Sequence, residues 1–168
     1  MSQKGLEAQK NYPLNKKLKE IFWGAWCMQT NWNYERQMNT AFMYGMSHCI
    51  DRLYPEEDEI EKKKEAYRRH LEFFNITPQC GALTLGIAQA MEEEYAENPD
   101  TFDPAAINAV KVALMGPLSG IGDSLVQGTI RIIAMSIGIS LAQQGSILGP
   151  ILAALISVST SASITWFL

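Results

Sequence analysis

Charged side chains almost vanish from the last third of this 168-residue chain. Over residues 112–168 only Asp123 and Arg131 carry charge, and from Ile132 onward none does. About 20 uncharged residues suffice to cross a hydrocarbon core roughly 30 Å thick at 1.5 Å per residue, so this third reads as membrane. The mean hydropathy of −0.07 conceals it, because charges are frequent before Val112. Cysteine is scarce too. Cys27, Cys49 and Cys80 are odd in number and lack CxxC or metal spacing, which excludes a disulfide framework and a zinc site and leaves buried or lipid-facing thiols. A basic cluster interleaved with aromatics is missing at a net charge of −4 and a pI near 5.2, so nucleic acid is excluded as a partner. Residues 1–20 are polar and Lys-rich with no apolar h-region or small-residue cleavage site, so they are not a secretory signal peptide. Without a Gly/Ser-rich linker or a solenoid-period repeat, one domain over 1–168 is expected. It divides into an interfacial segment (1–26), a helical region (27–111) and an apolar membrane region (112–168).

What is present has helical spacing. Leu14, Leu18, Ile21, Phe22 and Ala25 recur on one face opposite Asn15, Lys16, Lys19 and Glu20, which predicts an amphipathic helix over 14–26. Lying in the membrane interface, it would set Phe22, Trp23 and Trp26 at headgroup level; Lys10, Lys16, Lys17 and Lys19 favour the cytoplasmic side for this end. An ordinary amphipathic core helix shows the same moment. A second helix is expected over 35–53, with Met38, Ala41, Phe42, Gly45, Met46, Cys49, Ile50 and Leu53 on its buried face, ended by Tyr54-Pro55. Residues 56–74 predict a charged helix with Asp58/Lys62, Glu59/Lys63 and Glu65/Arg69 pairs and a stripe of Ile60, Tyr67, Leu71 and Phe74. Thr77-Pro78 opens a third amphipathic segment through about Tyr95, and Asp103-Pro104 a further one, with a side-chain acceptor before a proline.

That last helix runs into Gly116-Pro117-Leu118-Ser119-Gly120-Ile121-Gly122-Asp123. Three glycines and a proline in eight residues predict a hairpin turn or a broken, re-entrant helix, since irregular backbone at membrane depth must be buried or line a cavity. Residues 147–168 then supply one crossing. The fold class expected is therefore an all-α membrane protein with an N-terminal amphipathic interfacial helix, helical hairpins, a glycine-broken re-entrant region and one or two transmembrane segments. Gly149, Ala153, Ser157, Ser161 and Thr165 recur every four residues, as do Ala134, Gly138 and Ala142. Such small-residue stripes let helices approach closely in lipid, within or between chains, and in a chain this short they are expected to dock chiefly on a partner's helices.

Residues 29–37, Gln-Thr-Asn-Trp-Asn-Tyr-Glu-Arg-Gln, combine amides, aromatics and charge between membrane-active segments. Amides and a carboxylate match the donors and acceptors of a neutral sugar, and an indole covers its C–H face, so Gln29, Trp32, Asn33 and Glu35 are candidate ligands. Helix capping by Asn33 is the plain alternative. Asp123, an acidic group inside the apolar third, is a functional candidate by its cost alone, or else a structural partner of Arg131 or Lys111. Residues 116–123 lack the Gly-Lys-Ser/Thr ending of a phosphate loop, and Gly120-Ile121-Gly122 lacks a third glycine. His48 and His70 have no Ser, Cys or carboxylate partner at constellation spacing; as solvated or helix-terminal histidines they need no catalytic role. No residue pattern asks for a cofactor.

The runs Gln29 to Arg36, Arg52-Leu53-Tyr54-Pro55, Arg68-Arg69-His70-Leu71-Glu72-Phe73-Phe74-Asn75 with Thr77-Pro78, Asn108 to Lys111, and Met115-Gly116-Pro117-Leu118-Ser119-Gly120-Ile121-Gly122-Asp123 with Gly128-Thr129-Ile130-Arg131 together resemble the IID component of the mannose/fructose/sorbose-family phosphotransferase system (PTS). The likeness extends more loosely to Ser146-Ile147-Leu148-Gly149-Pro150. It implies a non-catalytic subunit in a bacterial inner membrane, joined in a hetero-oligomer with a IIC membrane subunit to translocate a hexose. A cytoplasmic IIAB protein would carry the phosphohistidines. Gln37-Met38 stands where the family usually has Met-Gln, and Asn31 replaces a usual small residue. The resemblance also implies further chain beyond an apolar segment like this one, so a C-terminally truncated subunit is expected; the alternatives are a structural scaffold or non-transporting fragment and, behind these, an enzyme phosphorylated on His70.

Overall fold

The computed structural model describes residues 2–168, apart from the side chains of Gln3 and Leu6; Met1, first residue of the polar leader, lies outside them. The described residues form helices α1 (Gln3–Lys10), α2 (Leu14–Trp26), α3 (Asn39–Leu53), α4 (Ile60–His70), α5 (Gly81–Glu97), α6 (Ala105–Gly122), α7 (Arg131–Gln143) and α8 (Leu148–Phe167), with no strand among them.

Helix α3 is the hub, packed against α1, α2, α4 and α5. The eight residues expected on its inner face, Met38 to Leu53 at helical spacing, are all buried. The helix begins at Asn39 rather than Glu35. Gln37, just before it, holds a left-handed φ of 57°, which no residue keeps inside a helix. Crossing of α2 over α3 is set by glycine: a Cβ on Gly24 would lie 2.8 Å from the Gly45 Cα, and Leu85 of α5 closes the gap. Helix α2 buries Gly24 and Ala25 but leaves Leu14, Leu18, Trp23 and Trp26 exposed, so its apolar surface exceeds what this core covers.

The charged helix α4 makes other pairs than its sequence suggests. Lys64 bonds Glu61 and Lys63 bonds Asp51 of α3, each at 2.8 Å. Arg69 donates through Nε to Glu92 of α5 at 2.8 Å, and the His70 ring nitrogen Nε2 lies 2.9 Å from the same carboxylate. Ile60 is exposed, and the inner side of α4 is Ala66 and His70. His70 is thus a core histidine rather than a solvated one; its carboxylate partner comes from another helix, beyond the reach of local spacing. Burial holds its pKa below the ordinary value, with Glu92 opposing, so the neutral ring donates Nε2–H to the carboxylate. Burial alone would raise Glu92, but the His70 hydrogen bond and the Arg69 guanidinium overcome this and hold it below the usual carboxylate value. The Lys111 ammonium of α6 sits buried over the Phe42 ring, 4.7 Å from its centroid, fastening α6 to this core.

The glycine-rich run does not break. Residues Ala105–Gln143 form one 39-residue helical path whose α winding changes to π winding over Asp123–Ile130. In lipid an interrupted helix would strand backbone groups, whereas Ser and Thr side chains and local π turns re-satisfy them. Accordingly, Ser124 donates to the Gly120 carbonyl at 2.8 Å and Thr129 to the Ser124 carbonyl, five residues back, at 3.0 Å. Gly122 serves close approach: a Cβ there would fall 2.6 Å from Thr77. The expected re-entrant turn is therefore replaced by a continuous helix. At 1.5 Å per residue it is roughly 58 Å long, well beyond one hydrocarbon core.

The chain reverses after α7 at Gly145, whose φ of +76° takes the left-handed conformation that ends helices. Gly145 N–H donates to the Ala142 carbonyl at 2.9 Å and Ser146 N–H to that of Leu141 at 3.1 Å, the paired bonds of a Schellman ending. Helix α8 folds back along α7 with the two small-residue stripes facing each other. A Cβ on Gly138 would meet the Ala153 Cβ at 2.7 Å, and one on Gly149 the Ala142 nitrogen at 2.8 Å. Gly138 and Ala142 thus pack on Gly149 and Ala153 within the chain, because the tight turn at 144–147 brings them into register, whereas Ser161 further along the stripe turns to Gln79. Both Ala105–Gln143 and Leu148–Phe167 are long and apolar enough to cross a membrane, and they bury little of their surface here.

Candidate functional site

The polar segment at 29–37 is a folded loop between α2 and α3. Asn33 and Gln37 exchange backbone hydrogen bonds at 2.9 and 3.0 Å, and Met38 N–H donates to the Phe74 carbonyl at 2.8 Å. Asn33 is the organiser. Its Oδ1 accepts from the Arg36 N–H at 2.8 Å, while Nδ2 donates to the Asn39 Oδ1 at 2.9 Å and the Gln37 carbonyl at 3.2 Å. These bonds tie it to the loop rather than to a cap on α3, and Oδ1, accepting one bond, keeps a second lone pair. Trp32 and Tyr34 stand outward with ring centroids 4.9 Å apart, edge to face, and Glu35 is exposed beside Arg36 at 3.4 Å.

Gln29 is the candidate that reaches a cavity. It lines a cleft of about 250 Å³ between the C-terminal end of α2, the 3₁₀ turn Pro78–Cys80 and the far half of α8, with Trp26, Gln79, Ser157 and Ser161. A second cavity of about 120 Å³ shares Gln79, Ser157 and Ser161 and continues to Gln127 and Arg131 on the π segment and α7. The two cavities share one furrow in which Gln29, Gln79, Gln127, Arg131 and Ser161 converge, on helices that otherwise expose many large apolar side chains. Asp123 is exposed beside it and accepts from the Thr77 hydroxyl at 2.7 Å, one residue before Pro78. Arg131 donates to Gln127 at 2.9 Å. No ion pair joins Asp123 to Arg131 or Lys111 among the described residues.

The structure therefore brings Gln29 to the furrow and Asp123 to its edge, but Trp32, Asn33 and Glu35 do not line it. Gln79, Ser161 and Arg131 line it without having been picked out as ligands. Ser161 was visible only as one member of a packing stripe, and Gln79 as the residue after a helix-opening proline. Their convergence needs 82 residues of chain to fold back, as the Gln79 to Ser161 hydrogen bond of 3.1 Å does. No group of three or more His, Cys, Asp or Glu able to hold a metal occurs among the described residues. The buried Cys49 thiol is pushed up to about 12 by burial and by Glu93, so it is no nucleophile.

These features define an all-α membrane protein with a polar furrow at the junction of a helical core and a transmembrane hairpin. The chain belongs to the PTS system mannose/fructose/sorbose family IID components, matched over residues 14–168. It is 43% identical over 135 residues to the PTS system mannose-specific EIID component of Escherichia coli (strain K12), covering 80% of this chain and 47% of that protein. To the PTS system sorbose-specific EIID component of Klebsiella pneumoniae it is 43% identical over 140 residues, covering 83% and 49%. The fold is similar to a chain in the cryo-EM structure of the mannose transporter ManYZ complexed with microcin E492, with a TM-score of 0.85 and 38% identity over 93% of this chain and 56% of that one. The chain spans about half the length of the curated relatives it matches.

Proposed function

We propose that this chain acts as the IID subunit of a sugar-translocating PTS permease. With a IIC subunit it forms the membrane path for a mannose-type hexose, which a separate cytoplasmic IIAB protein phosphorylates. The polar furrow in an apolar helical surface carries the reading, because buried polar groups in a membrane mark a solute path. Gln29 supplies an amide to the sugar in the furrow and Asp123 a carboxylate at its edge, while Trp32, Asn33 and Glu35 contribute from the adjoining 29–37 loop, outside the furrow lining. The single domain sits in a bacterial inner membrane. Its N-terminal side is cytoplasmic, as the lysines on and before α2 favour, with the exposed apolar face of α2 in the interface.

The subunit performs no phosphoryl transfer itself. Full burial of His70 against Glu92 removes the access a phosphoryl acceptor needs, which disfavours an enzyme using that histidine. A second reading is a structural membrane scaffold, which the close packing of α7 on α8 within the chain favours. Expression with IIC and IIAB subunits in a strain lacking its own IID component, followed by uptake of labelled mannose, fructose and sorbose, tests both. Restored uptake supports the permease; a complex that assembles but takes up none of the three supports the scaffold.

A further inference from the structure

Helix α8 carries six hydroxyl side chains in the span from Ser157 to Thr165, and five of them are spent on the helix itself. Ser157, Ser159, Thr160, Ser163 and Thr165 each donate to the carbonyl four residues back, at 2.6 to 2.9 Å. Ser161 does not. Its Oγ instead accepts from the Gln79 Nε2 at 3.1 Å, so the Ser161 proton remains available to a ligand. The other end of that Gln79 amide, Oε1, is buried and has no hydrogen-bond partner. An amide oxygen shielded from water and left unpaired costs about 1–3 kcal/mol, a penalty that a bound donor would remove. Both residues line both parts of the furrow, opposite Gln29.

We propose that Gln79 and Ser161 form a hydroxyl-recognition pair for the transported sugar. The proposal rests on the permease reading above and assigns the α8 side of its path. The pair offers one acceptor and one donor joined by a hydrogen bond, which suits two neighbouring hydroxyls of a neutral sugar. One hydroxyl donates to the Gln79 Oε1 while the next accepts from the Ser161 hydroxyl. Cations and anions are each met by one atom of the wrong polarity. The unpaired amide oxygen also penalises any ligand lacking a hydroxyl there, so the pair contributes selectivity among hexoses.

The test uses the chain purified in complex with its IIC subunit, with labelled D-mannose, D-fructose and L-sorbose as probes in equilibrium dialysis. Gln79→Met and Ser161→Ala are each expected to weaken binding roughly tenfold, as loss of one neutral hydrogen bond implies, and Gln79→Met to do so at a Tm no lower than the wild type, because it also removes the unpaired oxygen. Monodeoxy analogues of the bound sugar supply the second arm. The analogue lacking the contacted hydroxyl should bind the wild-type complex about tenfold more weakly, and the variant should impose no further loss on it. A penalty equal for every analogue overturns the proposal. So do variants that bind as the wild type does, while leaving the permease reading intact. Lower co-purification with IIC at unchanged sugar affinity also overturns it, by making the pair a contact for a partner helix. If the wild-type complex binds none of the three sugars, the permease reading fails and the proposal fails with it.

Discussion

Replacing Gly149 with Ala tests whether the α7–α8 hairpin is held by backbone-to-backbone packing. The added methyl carbon would lie 2.8 Å from the Ala142 nitrogen and closer still to the Gly138 carbonyl oxygen. Both are backbone atoms and cannot rotate aside, so the two helices must part by about 1 Å to restore ordinary contact. A radial gap of that size forfeits a quarter to a half of the dispersion energy along the seam, and overpacking of this kind costs about 1–3 kcal/mol. The higher helix propensity of Ala offsets at most about 1 kcal/mol of this. Thermal unfolding in detergent, followed by tryptophan fluorescence, should therefore show a Tm lower by roughly 2–6 °C. Gly116→Ala and Gly120→Ala are matched controls, because nothing lies within 4 Å of a Cβ at either position. Those two should leave Tm unchanged or raise it slightly. Equal shifts for Gly149→Ala and Gly116→Ala would refute the argument, since contact rather than propensity is the difference between them.

Acid should destabilise the helical core. The lowered pKa of His70 means the unfolded chain takes up a proton first, so stability is full above about 6.5, the ordinary histidine value, and falls as pH drops toward the lowered folded one. Glu92, also lowered, adds a second loss below about 4.5. A Tm-against-pH series on the wild type and His70→Gln should show the upper limb flattened in the variant; identical limbs would mean His70 does not titrate as argued. Asn33→Ala removes three hydrogen bonds that organise the loop and should cost about 1–3 kcal/mol. Exposed Glu35→Ala should stay within about 0.5 kcal/mol. Limited proteolysis should cut the loop faster in the first variant only, and equal protection would remove Asn33 from the organising role. Carbonate extraction at high pH should leave the chain in the membrane pellet, and its release into the supernatant would contradict two crossing helices.

The sequence alone carried the membrane assignment and the inner face of α3. Both depend on periodicity and charge, which are local: a charge-free stretch has no comfortable place in water, and eight apolar residues at helical spacing must share one side. It also marked Gln29 and Asp123 as unusual in their surroundings. Tertiary structure decided what local patterns leave open. Glycines at 116–122 are compatible with a turn or with a helix, and lipid selects the helix because it leaves no backbone group unpaired. The small-residue stripes at 134–142 and 149–165 are compatible with a partner chain or with each other, and the reversal at Gly145 set Gly138 and Ala142 against Gly149 and Ala153. Glu92 is one more acidic residue in a run until folding sets it against Arg69 and His70. Gln79 and Ser161 meet only when α8 lies across the turn after Thr77, since a hydrogen bond spanning 82 residues leaves no local trace in the sequence.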